Sequence, residues 1–231
     1  MDRNAIARDP VQVAVTQIYQ LYQRAAPALF GASCGVVILA VVLWDVVSHS
    51  VLIPWTAASL ALYAVRHAMV RAFLRKSPTS VRALLWGRWL AVTSNLAGVL
   101  WGVGAIVLFP KDAVTEQAVF LVVLAGTCSG TVVAYSPLRA MYVPFALLLG
   151  IPTATMFFLY GGSMGPMFGG IVVMYVVIMI LTGERMHAAN QESIRLRFEN
   201  RDLVESLVAE KRETENLNRS LFSEIAERRK V

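Results

Sequence analysis

Charge is scarce along most of this chain. Residues 25–183 hold eight basic and three acidic side chains, far below the roughly one residue in four that is charged in soluble domains. With 57% hydrophobic residues and a mean hydropathy of +0.59, an ordinary water-soluble globule is excluded. Cysteine is also rare. Cys34 and Cys128 both fall inside apolar runs, where packed, reduced thiols are expected and a disulfide is not. No secretory signal is expected, because the first 24 residues are polar or amphipathic and no small-residue cleavage site follows the first apolar run. There is no Walker loop, no zinc-ligand spacing and no nucleophile elbow. No catalytic residue, metal or other cofactor is therefore assigned, and no enzymatic activity is expected of this chain itself. The three histidines, His49, His67 and His187, are far apart in sequence. His187 is flanked by Met186 and Ala188, without the acidic neighbour that a phosphoacceptor histidine needs.

The charge that is present is concentrated. Of 36 charged residues, 20 lie between Glu184 and Val231, ten acidic and ten basic. The formal net charge of +6 and pI near 9.6 would suit nucleic acid. The excess positive charge, however, sits beside apolar runs, where it reads as membrane topology, and no nucleic-acid partner is expected.

Six apolar stretches stand out: Pro27–Val47, Val51–Ala68, Trp89–Phe109, Gln117–Tyr135, Ala140–Tyr160 and Met167–Thr182. Each approaches the ~20 residues that cross ~30 Å of hydrocarbon, and in lipid such segments must be helices to satisfy their own backbone. The stretch Arg66–Arg88 carries Arg66, Arg71, Arg75, Lys76, Arg82 and Arg88 and no acid, which marks it as a cytoplasmic loop. Arg139 marks a second one. Both termini are then cytoplasmic. The fold class expected is all-α: a polytopic bundle of six transmembrane helices followed by a long cytoplasmic coiled-coil helix. Three regions follow. Residues 1–24 form an amphipathic segment, with Val11, Val15, Ile18 and Tyr22 at helical spacing, lying in the inner interface or extending as a soluble arm. Residues 25–183 form the membrane domain, and residues 184–231 the cytoplasmic helix.

That last region has no glycine or proline in 48 residues, which predicts one long helix. Leu196, Leu203, Leu217 and Leu221 fit a heptad seam, with Leu207 on the partner position, broken by a polar patch at Glu210–Asn216. A parallel dimeric coiled coil would cover these leucines; a solvated single helix is the alternative. Glu215 and Arg219 are spaced to pair.

Inside the spans, polar residues are informative because lipid makes their burial costly. Ser94, Asn95, Thr127, Ser129 and Thr131 are candidates for a small ligand pocket between helices, or for plain interhelical hydrogen bonds. No charged pair falls deep in a span, which argues against ion-coupled transport. Glycines four apart (Gly31/Gly35, Gly98/Gly102, Gly126/Gly130, Gly161/Gly165 and Gly165/Gly169) predict close helix contacts. Pro144 and Pro152 are expected to kink the fifth span, and the five tryptophans to mark the interfaces.

The order of these features resembles a known family. A QIYQLYQRAAPAL segment precedes a first span ending in LW. A basic loop leads to WGRWLAVTSNLAGVLWGVGAIVLFP, then YSPLRAMYVPFALLLGIP, and the chain closes on LRFENRDLVESLVAEKRE. Together they are similar to the N-terminal membrane region of bacterial sensor histidine kinases, hybrid ones included, a region also found before diguanylate cyclase domains. The resemblance implies an inner-membrane, multi-pass signal-input module contacting membrane lipid. It implies homodimerisation through the coiled coil and a covalently attached downstream output domain, so the chain is expected to be part of a longer protein. Thr182, Gly183 and Glu184, where the last span becomes the charged helix, are the expected relay, with the seam leucines beyond them. A diguanylate cyclase or phosphodiesterase input module is the near alternative. A small transporter or a passive anchor is the alternative of another class.

Overall fold

The computed structural model of the chain describes residues 10–76, 78, 80–111 and 113–228, with side chains described at 12–76, 78, 82–111 and 113–220. Among the described residues all regular structure is helical: α1 (Pro10–Val42), α2 (His49–Lys76), α3 (Ser80–Val107), α4 (Val114–Tyr135), α5 (Arg139–Tyr160) and α6 (Gly165–Arg228). Five helices are long and apolar enough to cross a membrane: α1, α3, α4, α5 and α6. They are compatible with a multi-pass membrane protein. The sixth, α2, is 28 residues long, but its second half carries Arg66, His67 and Arg71, which lowers its hydropathy.

The chain divides into two compact units, residues 1–188 and 189–231. In the first, α3 lies along α5, and α1 lies between α4 and α2. The core is aromatic at its centre, with Tyr22, Phe73, Trp101, Phe120, Tyr135, Tyr142, Phe145 and Phe157 fully buried. Large apolar side chains such as Phe30, Val41, Val122, Ile151 and Leu181 face outward, as lipid-facing positions do.

Several local features depart from the sequence expectation. The amphipathic N-terminal run is not a separate interfacial helix. It is the first part of α1, and Ile18, Leu21 and Tyr22 are buried. Tyr22 stacks on Phe73 of α2 with centroids 3.8 Å apart, and its hydroxyl donates to the Trp86 carbonyl of α3. The side chain of Val11, and residues 1–9, lie outside the described residues. The basic stretch is not a long loop. Helix α2 continues to Lys76 and α3 starts at Ser80, so the arginines ride on helix ends; Arg71, Arg75, Arg82 and Arg88 are exposed, while Arg66 is buried. The tryptophans do not all mark interfaces either. Trp101 is buried and donates its indole N–H to the Tyr63 hydroxyl, and the Trp55 indole donates to the Leu100 carbonyl.

The glycine pairs serve different ends. Gly98 and Gly102 pack α3 against Phe145, Leu148 and Pro152 of α5. Gly161 and Gly165 build the turn between α5 and α6 instead of a helix contact, with Gly162 between them at φ 61°, a conformation that glycine adopts without steric cost. Gly31, Gly126 and Gly130 face open space along the α1–α4 groove.

The second unit is helical through Arg228. Arg195 pairs with Glu192 and Glu199, Arg201 with Glu205, and Lys211 with Glu215. Glu215 thus takes its partner from the preceding turn, not from Arg219. Leu196, Leu203, Leu207 and Leu217 are each more than half exposed. Leu221 belongs to the helix, and its side chain lies outside the described residues.

Candidate functional site

The site is built where α4 ends, α5 begins and α6 passes them. Pro137 withholds a backbone donor from the next turn, and α4 stops at Tyr135; the Leu138 amide closes the turn on the Tyr135 carbonyl at 3.0 Å. Helix α5 then starts with Arg139 and Tyr142 three residues apart, which places them on one face. That face meets α6 at Gly183 and Glu184.

Glu184 is held twice. The Arg139 Nε lies 2.7 Å from its Oε1, and the Tyr142 hydroxyl donates to the same oxygen at 3.1 Å. Gly183 lets the two helices close: a methyl group there would meet the Tyr142 ring at 2.5 Å. One turn further along α6, the His187 Nδ1 lies 3.0 Å from the Ser136 carbonyl oxygen. Thr182 is half-buried beside these residues. The Arg139 side chain is 69% exposed and that of Glu184 32% exposed. A water-facing pair of this kind is worth only ~0.2–1 kcal/mol. The contact positions α6 without locking it.

Further into the apolar part of the body, α6 is seated by small contacts. The Tyr175 hydroxyl donates to the Ala125 carbonyl at 2.6 Å and lies against the Ser129 hydroxyl. Val176 sits on Gly150 of α5, and Phe168 packs edge-on against Phe157 with centroids 5.5 Å apart. Between α4, α5 and α6 an apolar cavity of about 180 Å³ is lined by Leu121, Leu124, Leu149, Thr153, Val172 and Val176. The Thr153 hydroxyl is already committed to the Leu149 carbonyl, so an apolar occupant would orphan no polar group.

The candidate pocket residues do not converge. Thr127 and Thr131 share a face, as their spacing requires, and each donates to the carbonyl four residues earlier on α4; Thr127 also borders Gly35 of α1. Ser129 points to α6. Asn95 donates to the Ala140 carbonyl of α5 at 3.3 Å. Ser94 is fully buried, and its hydroxyl has no partner among the described residues. Of these five, only Ser129 touches α6 through the contacts above.

Arg139 could be read as a topology marker, but Tyr142, Ser136 and His187 carry no sequence signal of their own. Their pairing depends on the register of α5 against α6. The nearest usable signal is Gly183-Glu184, a small residue beside an acid at the end of an apolar run. No family model matches the chain, and neither a curated protein nor a solved structure matches it.

Proposed function

We propose that the chain is the transmembrane signal-input and dimerisation module of a bacterial inner-membrane sensor, of the histidine-kinase kind, with six spans and both termini cytoplasmic. The observation that carries this reading is the hold of Arg139 and Tyr142 on Glu184. It sits at the residue where an apolar helix becomes a charged one, on a continuous helix α6. A cue in the membrane, or a small apolar molecule, changes how α6 packs on α4 and α5. A bound molecule need only favour one of two packings, and two packings a few kcal/mol apart suffice for a switch. The exposed Leu196, Leu203, Leu207 and Leu217 are covered by the same helix of a second copy as a coiled coil, which carries the change to an output domain. That domain is a kinase or, in the near alternative, a diguanylate cyclase or phosphodiesterase; enzymatic chemistry belongs to it and not to this chain.

The reading is tested by grafting the chain onto a kinase or cyclase core and inserting single residues after Ala189, up to about four, each of which turns a helix by about 100°. Output should rise and fall with helical phase. Output indifferent to phase sinks the relay, and unchanged regulation after replacing the spans with an unrelated dimeric anchor would identify a passive anchor. Transport remains the reading of another class, favoured by one observation: the buried charge of Arg66. Solute flux in liposomes decides it.

A further inference from the structure

Helix α2 turns one face into the body: Leu52, Trp55, Ser59, Tyr63, Arg66, Val70 and Phe73. Arg66 belongs to that face and is 2% exposed. A charged side chain in this setting is costly unless something neutralises it, and in a membrane it marks function by default. Among the described residues no carboxylate forms an ion pair with it. Neither α2 nor α3 contains an aspartate or glutamate.

What surrounds Arg66 is a set of hydroxyl groups, which can accept one hydrogen bond and still donate another. Its Nη2 donates to the Tyr135 hydroxyl at 2.9 Å, and its guanidinium lies 5.5 Å from the centre of that ring. Its Nε is buried and has no acceptor among the described residues. The Tyr135 hydroxyl therefore acts as acceptor, which leaves its own proton undirected. Tyr63, one turn before Arg66, is in the same state: it accepts from the Trp101 indole. The α2–α3 pairing runs antiparallel, from Trp55 against Gly104, through Tyr63 and Trp101, to Phe73 against Trp86. It thereby carries Ser94, whose buried hydroxyl has no partner among the described residues, to about the depth of Arg66. A positive charge and several donors with nothing to receive them describe a complement that accepts hydrogen bonds and carries negative charge. Water can accept, but it cannot neutralise.

We propose that Arg66, Tyr63, Tyr135 and Ser94 form an intramembrane site for an oxyanion, a carboxylate or phosphate group borne by a free small anion or by a lipid headgroup. The site is distinct from the Glu184 contact and stands whether or not the chain relays a signal. Charge-assisted bonds from a guanidinium to such oxygens are the strong ones, and the tyrosine hydroxyls complete the cradle. Trp101 reports on it through its bond to Tyr63.

The test uses the full chain in maltoside micelles, which carry no anionic group. Tryptophan emission and melting temperature are followed while sodium acetate or sodium phosphate is added, against sodium chloride at equal ionic strength. In a second arm phosphatidylglycerol is added against neutral diacylglycerol. A saturable response in the first arm identifies a free anion, and in the second a headgroup. Either is the expected result, with affinity about tenfold or more weaker in Arg66→Met, the value of one charge-assisted bond. Tyr135→Phe keeps the ring and should bind a few-fold more weakly, while the exposed Arg71→Met should bind as the parent does. If neither arm gives a saturable response in the parent chain, or if Arg66→Met responds unchanged, the proposal is overturned. Should Arg66→Met not fold, the parent titration and Tyr135→Phe decide alone.

Discussion

The side-chain amide of Asn95 donates to the carbonyl oxygen of Ala140, which is the acceptor that Pro144, four residues on, has no N–H to reach. Pro152 leaves the Leu148 carbonyl without its helical donor, and that oxygen lies directly against Gly102 of α3. Helix α5 runs unbroken from Arg139 to Tyr160 through both prolines, and Asn95 of α3 supplies the donor missing at Pro144. Asn95→Leu should therefore cost about 1 kcal/mol of stability, somewhat above the ~0.6 kcal/mol average for an interhelical bond in lipid. On a Pro144→Ala background, where Ala140 regains a backbone donor, the same change should cost less. Thermal unfolding of the four proteins in micelles measures the coupling, and additive losses would remove the assignment.

This pairing also shows what can be read from the chain. Hydropathy and helix length are local, so the apolar helices and the unbroken charged helix were legible in the sequence. Which polar residue answers which was not. Asn95 in α3 and Pro144 in α5 are unremarkable apart and matched only through helix register. Arg66 is the sharper case. Counted with Arg71 to Arg88 it looks like a loop cation, yet its spacing from Ser59 and Tyr63 puts it in phase with the buried face of α2. Charge counting assigned it to the basic loop although it also falls within Val51–Ala68; periodicity assigns it to the buried face of α2.

Gly183 and Tyr142 make a second close approach, and here the space is already filled. Gly183→Ala puts a methyl group against a fully buried ring, and overpacking of this kind costs about 1–3 kcal/mol. The ring must move, and with it the hydroxyl that donates to Glu184. Hydrogen–deuterium exchange across residues 180–188 should speed up, while exchange in α3 stays as it was. Unchanged exchange at both places would show that α6 does not depend on this contact.

The ion pair beneath that ring can be separated from the packing. Glu184→Arg sets two cations side by side at Arg139, and Arg139→Glu sets two anions. Each should shift the output of a grafted kinase, while folding stability changes by no more than about 1 kcal/mol, since the pair faces water. The double exchange, Arg139→Glu with Glu184→Arg, should restore the parent output. Salt should mimic the single variants, because a solvent-facing pair is screened within about 8–10 Å near physiological ionic strength. Output that ignores all three variants would detach the pair from signalling and leave it a surface contact.

The exposed leucines of the charged helix make the last prediction. Leu203 and Leu207 lie four residues apart, both more than half exposed, on the stripe that a second copy would cover. A lysine at either position places a charge in that seam and repeats it across the dimer axis. Losing one buried leucine costs ~2–5 kcal/mol in a packed core, so Leu203→Lys or Leu207→Lys should weaken self-association of the full chain by at least about tenfold. Val208→Lys, one residue further on and off the stripe, should not. Sedimentation of the micelle-solubilised chain reads the difference directly. If all three variants sediment like the parent, the leucines are not a dimer seam, and a solvated single helix is the better description of the tail.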